Sequence, residues 1–147
     1  MANESITGTL YTSANHPKIS ITGDSALLAF PNKTGGGGSS WADAIIIEDL
    51  VIDANNSGSC IYLKDTTYYV VIQNCTVINS GSGAAGIYLY NAINVNITGN
   101  HVENNYYGIY LRSYSDTNFV LGNNVTNCRY GIDLFLDSDS NYISGNE

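Results

Sequence analysis

The chain repeats itself, and a repeat of this length admits very few folds. GIYLY at 86–90, GIYLR at 108–112 and GIDLF at 131–135 are copies at almost equal intervals, and CIYLK at 60–64 precedes the first of them by a slightly longer one. Each is followed by a second marker. NITGN at 96–100, FVLGN at 119–123 and YISGN at 142–146 match one another, with VIQNC at 71–75, IIEDL at 46–50 and SITGD at 20–24 as more distant copies. Their central aliphatic residues are Ile21, Ile47, Ile72, Ile97, Val120 and Ile143, and the interval between them shortens only slightly toward the C-terminus. A fixed period of about 20 to 50 residues marks a solenoid, in which each repeat buries its apolar side only against its neighbours. Six coils fit the spacing.

Within one coil the local period is two. Ile87 and Leu89 alternate with Tyr88 and Tyr90, and Ile109 and Leu111 with Tyr110 and Arg112, which is the signature of strands and not of helices. A third short strand follows the second marker, seen as Cys75 and Val77, Asn100 and Val102, then Asn123 and Val125. The Asn, Gly, Ser and Asp clusters between strands are too short to hold a crossover helix. Each strand therefore stacks on its copy in the next coil. The expected fold is all-β, a right-handed parallel β-helix of about six coils with three short strands per coil.

This architecture assigns roles to unusual columns. Gly99, Gly122 and Gly145 share one corner, where positive φ makes the bend at little cost. Asn100, Asn123 and Asn146 form the next column, in which identical amides about 4.8 Å apart can hydrogen-bond along the axis as an inward-facing ladder. Leu50 and Cys75 fill that column earlier, so the ladder is expected to begin at its third copy. Three cysteines, Cys60, Cys75 and Cys128, are an odd number without CxxC spacing, which argues against a disulfide scaffold or a zinc site and for buried free thiols.

Residues 1–40 read as an N-terminal cap or irregular first coil. KISITGDSALLAF at 18–30 suggests one coil, GGGGSS at 35–40 a flexible loop or insertion, and residues 1–15 a cap or a partial coil. Residues 41–147 read as β-helix repeats. Glu147 falls inside a repeat and no capping segment covers the last coil, so the expectation is either a fragment of a longer protein or an open end that meets a partner, with end-to-end self-association as one outcome.

Composition then excludes partners. Charged residues are 12% of the chain, against about 25% in ordinary domains, and 13 acidic against 5 basic residues leave a formal charge of -8. Such a surface repels nucleic acid and anionic lipid. No apolar run approaches membrane-helix length and the N-terminus does not read as a signal sequence, so no membrane insertion is expected. Six N-x-Ser/Thr sequons, at Asn3, Asn32, Asn55, Asn74, Asn96 and Asn124, suit a glycosylated surface protein but are not far above chance in a chain with 19 Asn.

The run from NITGN through FVLGN to YISGN resembles the repeats of the NosD-like, pectin-lyase-like superfamily of right-handed parallel β-helices, and the resemblance covers about residues 42–147. It implies an extracellular or cell-surface setting and a family that spans polysaccharide lyases, glycoside hydrolases, adhesins and surface-layer proteins. A NosD-like role in copper-enzyme maturation is not supported by His16, His101, Met1 and the scattered cysteines, which form no copper-binding constellation. The segment 59–77 is similar to the part of polygalacturonase-type hydrolases where paired aspartates precede a C-I-x-I strand, carboxylates that protonate the leaving oxygen and activate water. Here those positions are Gly58 and Ser59, and in later coils Ala84-Ala85, Tyr106-Tyr107 and Arg129-Tyr130, so the acid pair is missing from that column. A lyase needs a base beside a Ca²⁺ or basic cluster, and five basic residues supply little of it. Asp133, Asp137 and Asp139, with Asp116 one coil earlier, are the Ca²⁺ candidates; the alternative makes Asp137 and Asp139 turn residues beside Ser138 and Ser140. No other cofactor is expected.

The outward columns of the first strand read Tyr62, Tyr88, Tyr110, Asp133 and Lys64, Tyr90, Arg112, Phe135, with Tyr106, Tyr107 and Tyr130 at the adjoining turn. A flat sheet of tyrosines with a few polar groups suits sugar rings, making Tyr62, Tyr88, Tyr90, Tyr110, Arg112 and Asp133 the glycan-binding candidates. Aromatic columns also stabilise sheets without any ligand. Three functions remain open: a non-catalytic extracellular or cell-surface module that binds polysaccharide or builds the envelope, a fragment of a polysaccharide lyase or glycoside hydrolase, and a self-associating structural solenoid.

Overall fold

In the computed structural model, residues 14–147 are described, so the expected cap over the first residues lies outside them up to position 13. One cycle of three strands accounts for almost everything. β1 (Ala14–Asn15), β5 (Leu50–Asp53), β8 (Thr76–Ile78), β11 (His101–Glu103) and β14 (Asn124–Thr126) make sheet A. Sheet B stacks β2 (Ile19–Thr22), β6 (Ile61–Thr66), β9 (Ala85–Ala92), β12 (Tyr107–Arg112) and β15 (Tyr130–Phe135). Sheet C stacks β4 (Ile45–Glu48), β7 (Val70–Gln73), β10 (Val95–Thr98), β13 (Phe119–Leu121) and β16 (Tyr142–Ser144), with the short β3 (Thr34–Gly35) added antiparallel to β4. The chain visits A, B and C in turn, and every pairing but that of β3 is parallel, giving an all-β parallel solenoid.

Each sheet thus has five parallel strands where six coils were expected. The error lies at SITGD. Ile21 pairs with Leu63 and Thr22 with Lys64, so this segment is the first strand of sheet B and not an early copy of the sheet C marker. Between β2 and β4 the chain inserts the short helix α1 (Asp24–Ala29), β3 and a 3-10 turn at Trp41–Asp43. This insertion happens to bring the distance from Ile21 to Ile47 to one coil length. Elsewhere the same corner is made by a short link, as between Thr66 and Val70. Helix α1 sends fully buried Leu27 into the core, and its Asp24 carboxylate accepts hydrogen bonds from Thr67 N–H and Oγ1, at 2.8 and 2.7 Å. Among the described residues no helix is long and apolar enough to cross a membrane.

The registers confirm the period-two reading. Ile61, Ile87, Ile109 and Ile132 stack in one inward column and Leu63, Leu89, Leu111 and Leu134 in another, burying aliphatic side chains from each rung against the next. Corners are set by backbone chirality. The Gly99, Gly122 and Gly145 column has φ of 63, 60 and 65°, and its earlier members are Asp49 and Asn74 at 59 and 50°. Asp and Asn are the non-glycine residues that best tolerate this left-handed region. The other two corners use Asn79, Asn104 and Asn127, then Asp65, Asn91, Ser113 and Leu136, all at φ between 49 and 59°. Much of the asparagine in the chain therefore turns corners.

The Gly-rich stretch is not a free loop. The Asp43 carboxylate accepts from Gly37 N–H at 3.1 Å, Ser39 N–H at 3.2 Å and Ser39 Oγ at 2.7 Å, and these bonds, that from the Ser39 hydroxyl foremost, hold its pKa below the ordinary carboxylate value. Gly36 lies so close to this carboxylate that a Cβ there would collide with it, and Gly38 N–H donates to Asp43 O at 2.7 Å. The glycines are needed for close approach.

Candidate functional site

The inward columns come first because they hold the outer face flat. Asn100 Nδ2 donates to Ile72 O (2.9 Å) and to Asn123 Oδ1 (3.0 Å), which also accepts Asn100 N–H (3.0 Å). Asn123 repeats this one rung on, with Ile97 O and Asn146 Oδ1 at 2.9 Å each. Cys75 N–H donates to Asn100 Oδ1 at 2.9 Å, so the ladder begins at its third copy, as expected. One further ladder and one single bridging asparagine were not anticipated. Asn105 takes Ser80 N–H and donates to Val77 O, and Asn118 takes Val95 N–H and donates to Ala92 O while its own N–H meets Asn141 Oδ1 at 2.9 Å. Asn118 and Asn141 stand one coil length apart, which was a visible signal. Asn105 gave none, because its column mates are Ser80 and Cys128.

The cysteines follow the same logic. Cys75 occupies the column of Asn100 and Cys128 that of Asn105, while Cys60 packs in the core. Burial pushes the Cys60 and Cys75 thiols up to about 11 and raises that of half-buried Cys128 as well. Since the thiolate is the reactive form, an aromatic-disulfide titration at mildly alkaline pH is expected to find Cys60 and Cys75 silent in native protein and all three thiols reactive in urea. Three fast thiols in the native state would contradict this burial.

On the outer face of sheet B, Tyr62, Tyr88, Tyr110 and Asp133 are register partners, and so are Lys64, Tyr90, Arg112 and Phe135. The rings run on without a break. Tyr62 to Tyr88 is 4.8 Å between centroids, Tyr88 to Tyr110 4.9 Å, Tyr110 to Tyr107 4.2 Å and Tyr107 to Tyr130 5.0 Å. One expectation needs correcting: Tyr110 points outward but is only 6% exposed, because Tyr107 and Tyr88 stack on its two faces. Burial raises its hydroxyl pKa. It supports the strip from within, and the half-buried Tyr62, Tyr88, Tyr90 and Tyr107 together with exposed Tyr130 form the surface.

Cations gather on the same strip. Lys64 Nζ lies 5.4 Å from the Tyr90 ring centre, the Arg112 guanidinium 5.6 Å from Phe135, and that of Arg129 5.1 and 5.6 Å from Tyr106 and Tyr130. The Tyr88 hydroxyl beside Arg112 raises its pKa further, keeping it charged. At the other end a shallow groove of about 380 Å³ is lined by Lys18, Ser20, Gly58, Ser59, Tyr62 and Tyr88, among others. Four of the chain's five basic residues therefore border one sheet face of a protein with net charge -8. In the linear sequence they look scattered, because Lys18 and Arg129 lie just outside the strands and only the register lines them up.

The Ca²⁺ candidates are not brought together as a ligand set. Asp116 Oδ1 accepts Asp139 N–H at 2.6 Å across one coil, and Asp137 sits at a corner with φ 54°. Among the described residues no three of His, Cys, Asp and Glu form a group able to hold a metal.

With three parallel sheets and internal ladders in place, the comparison with protein families is decisive: the family described as "Right handed beta helix region" matches residues 35–147. The chain belongs to that right-handed β-helix family. No curated protein and no solved structure matches it. The match on this β-helix begins at Gly35, the last residue of β3 and just before the segment that Asp43 clamps, and runs through every later rung to Glu147.

Proposed function

We propose that this β-helix is a non-catalytic glycan-binding module acting outside the cell or at its surface, with the outer face of sheet B as its binding surface. The observation that carries this reading is the aromatic strip bordered by four cations. Aromatic rings locked together on a rigid sheet offer sugars an apolar surface edged with phenolic hydroxyls at little entropic cost, and Arg112, Arg129, Lys64 and Lys18 favour sugars bearing carboxylate or sulfate groups. The NosD-like and pectin-lyase-like resemblance fits such a surface, and the positions equivalent to the hydrolase aspartates hold Gly58, Ser59, Ala84 and Ala85 instead.

Calorimetric titration with oligogalacturonate, oligoalginate and chondroitin sulfate fragments tests the proposal. At least one is expected to bind, with affinity falling as salt screens the cations. Tyr88→Ala should weaken binding about tenfold, equivalent to about 1.4 kcal/mol, and Arg112→Ala by a similar factor. Absence of binding to all three, or binding indifferent to both substitutions, would rule out this surface.

A further inference from the structure

The Gly-rich clamp has a second product, on a different face. By fixing the 3-10 turn at Trp41–Asp43, it lays Trp41 over the outer side of sheet C, 4.9 Å from the Tyr69 ring at 76° and 5.7 Å from Phe119 at 75°. Phe119 continues to Tyr142 at 6.3 Å. Trp41, Phe119 and Tyr142 are 42, 36 and 59% exposed, an unusual outlay of aromatic surface in so small a chain. A groove of about 290 Å³ opens there, lined by Trp41, Asn96, Phe119 and Leu121.

Two features say what fits it. At the groove the register partners Asn96, Phe119, Tyr142 and Thr98, Leu121, Ser144 carry no charge, and the acid in these columns, Glu48, lies two rungs before Thr98, unlike the cations along the strip on sheet B. In addition, the Asn96 carboxamide oxygen is shut off from water and has no hydrogen-bond partner, although its residue lines the groove. A buried acceptor without a donor is destabilising, and a ligand hydroxyl admitted beside Asn96 supplies the donor it lacks. The volume is that of a small-molecule subsite and far from the footprint of a protein partner. Aromatic edges and faces around one amide acceptor, without ions, match a ring that is apolar on its faces and hydroxylated at its rim.

We propose that the outer face of sheet C carries a second ligand site, for a neutral hexopyranose, in which Trp41 and Phe119 hold the ring and Asn96 accepts a hydroxyl. Trp41 is the chain's one tryptophan, so its emission reports this site alone. Fluorescence titrations of the full chain with cellohexaose, mannohexaose and maltohexaose, and with hexagalacturonate as the acidic comparator, provide the test. A saturable change in emission is expected with at least one neutral hexaose. Phe119→Ala and Asn96→Ala, both at outward-facing positions and both checked for an unchanged β-sheet spectrum, should each raise the dissociation constant about tenfold, a change of ~1.4 kcal/mol. Tyr88→Ala on sheet B should leave the curve unchanged, so failure of the sheet B site and failure of this one are separable. The proposal is overturned by no saturable response to any neutral hexaose, by a response to hexagalacturonate alone, by curves unaltered in both sheet C variants, or by loss of the response in Tyr88→Ala. Loss in Phe119→Ala with Asn96→Ala unchanged would remove the role given to Asn96.

Discussion

Asn123→Ala is expected to lower the free energy of unfolding by about 3 kcal/mol, against less than about 0.5 kcal/mol for Asn124→Ala at the adjacent position. The contrast follows from where the two amides point. Asn123 is 1% exposed and joins three rungs: it donates to Ile97 O and to Asn146 Oδ1, and its own Oδ1 takes both the N–H and the Nδ2 of Asn100. Asn146 Oδ1 keeps the Asn123 N–H after truncation, but the N–H and one Nδ2 hydrogen of buried Asn100 and the Ile97 O are left without a partner, and each stranded group costs about 1 to 3 kcal/mol where water cannot follow. Asn124 lies on the exposed side of sheet A. Asn123→Leu makes the argument sharper. Leu50 shows that the column accepts an aliphatic side chain, yet leucine at 123 still strands the same donors and acceptor, so a loss of about 2 kcal/mol or more is expected despite the added apolar contact. Urea denaturation followed by far-UV circular dichroism measures all three. Equal midpoints for Asn123→Ala and Asn124→Ala would show that the ladder contributes nothing.

Leu89→Ala is expected to cost about 3 to 4 kcal/mol. Leu89 is fully buried, with Leu63 on one side of it in its column and Leu111 on the other. The cavity cannot close, because parallel hydrogen bonds to both neighbouring rungs hold the strand at fixed spacing, so the transfer and cavity terms are both lost. Leu134, at the end of the same column, is only partly buried, and Leu134→Ala should cost roughly half as much. A solenoid is stabilised chiefly by nearest-neighbour contacts. The Leu89 variant should therefore speed hydrogen exchange in β6, β9 and β12 before it affects the distal rung. Uniform loss of protection along the whole chain would argue instead for one cooperative unit.

How much of this could be read beforehand is clearest in three places. The columns of Ile87, Leu89 and Tyr88 were legible because strand alternation is a local rule, and they stack in the expected register. SITGD misled because its letters resemble NITGN, whereas pairing depends on where the chain returns after an insertion. Alternation correctly turned Tyr110 to the outer side of its strand, but no periodicity records that Tyr107, three residues earlier in the same strand, folds its ring over it at 4.2 Å and leaves it buried.

The sequence alone determined the solenoid, the three strands per coil, the left-handed corner of the Gly99, Gly122 and Gly145 column and the first asparagine ladder. All of these arise from φ preference, period-two burial and a nearly constant repeat length, properties that each coil carries within itself. Only the tertiary structure decided the number of rungs, the bridging role of Asn105, the gathering of Lys18, Lys64, Arg112 and Arg129 along one strip, and the placing of Trp41 over Phe119. Those outcomes depend on which residues of separate coils come to lie side by side. Positions 41 and 119 become neighbours only because intervening rungs each advance by one strand spacing while the insertion before β4 turns back across their outer face.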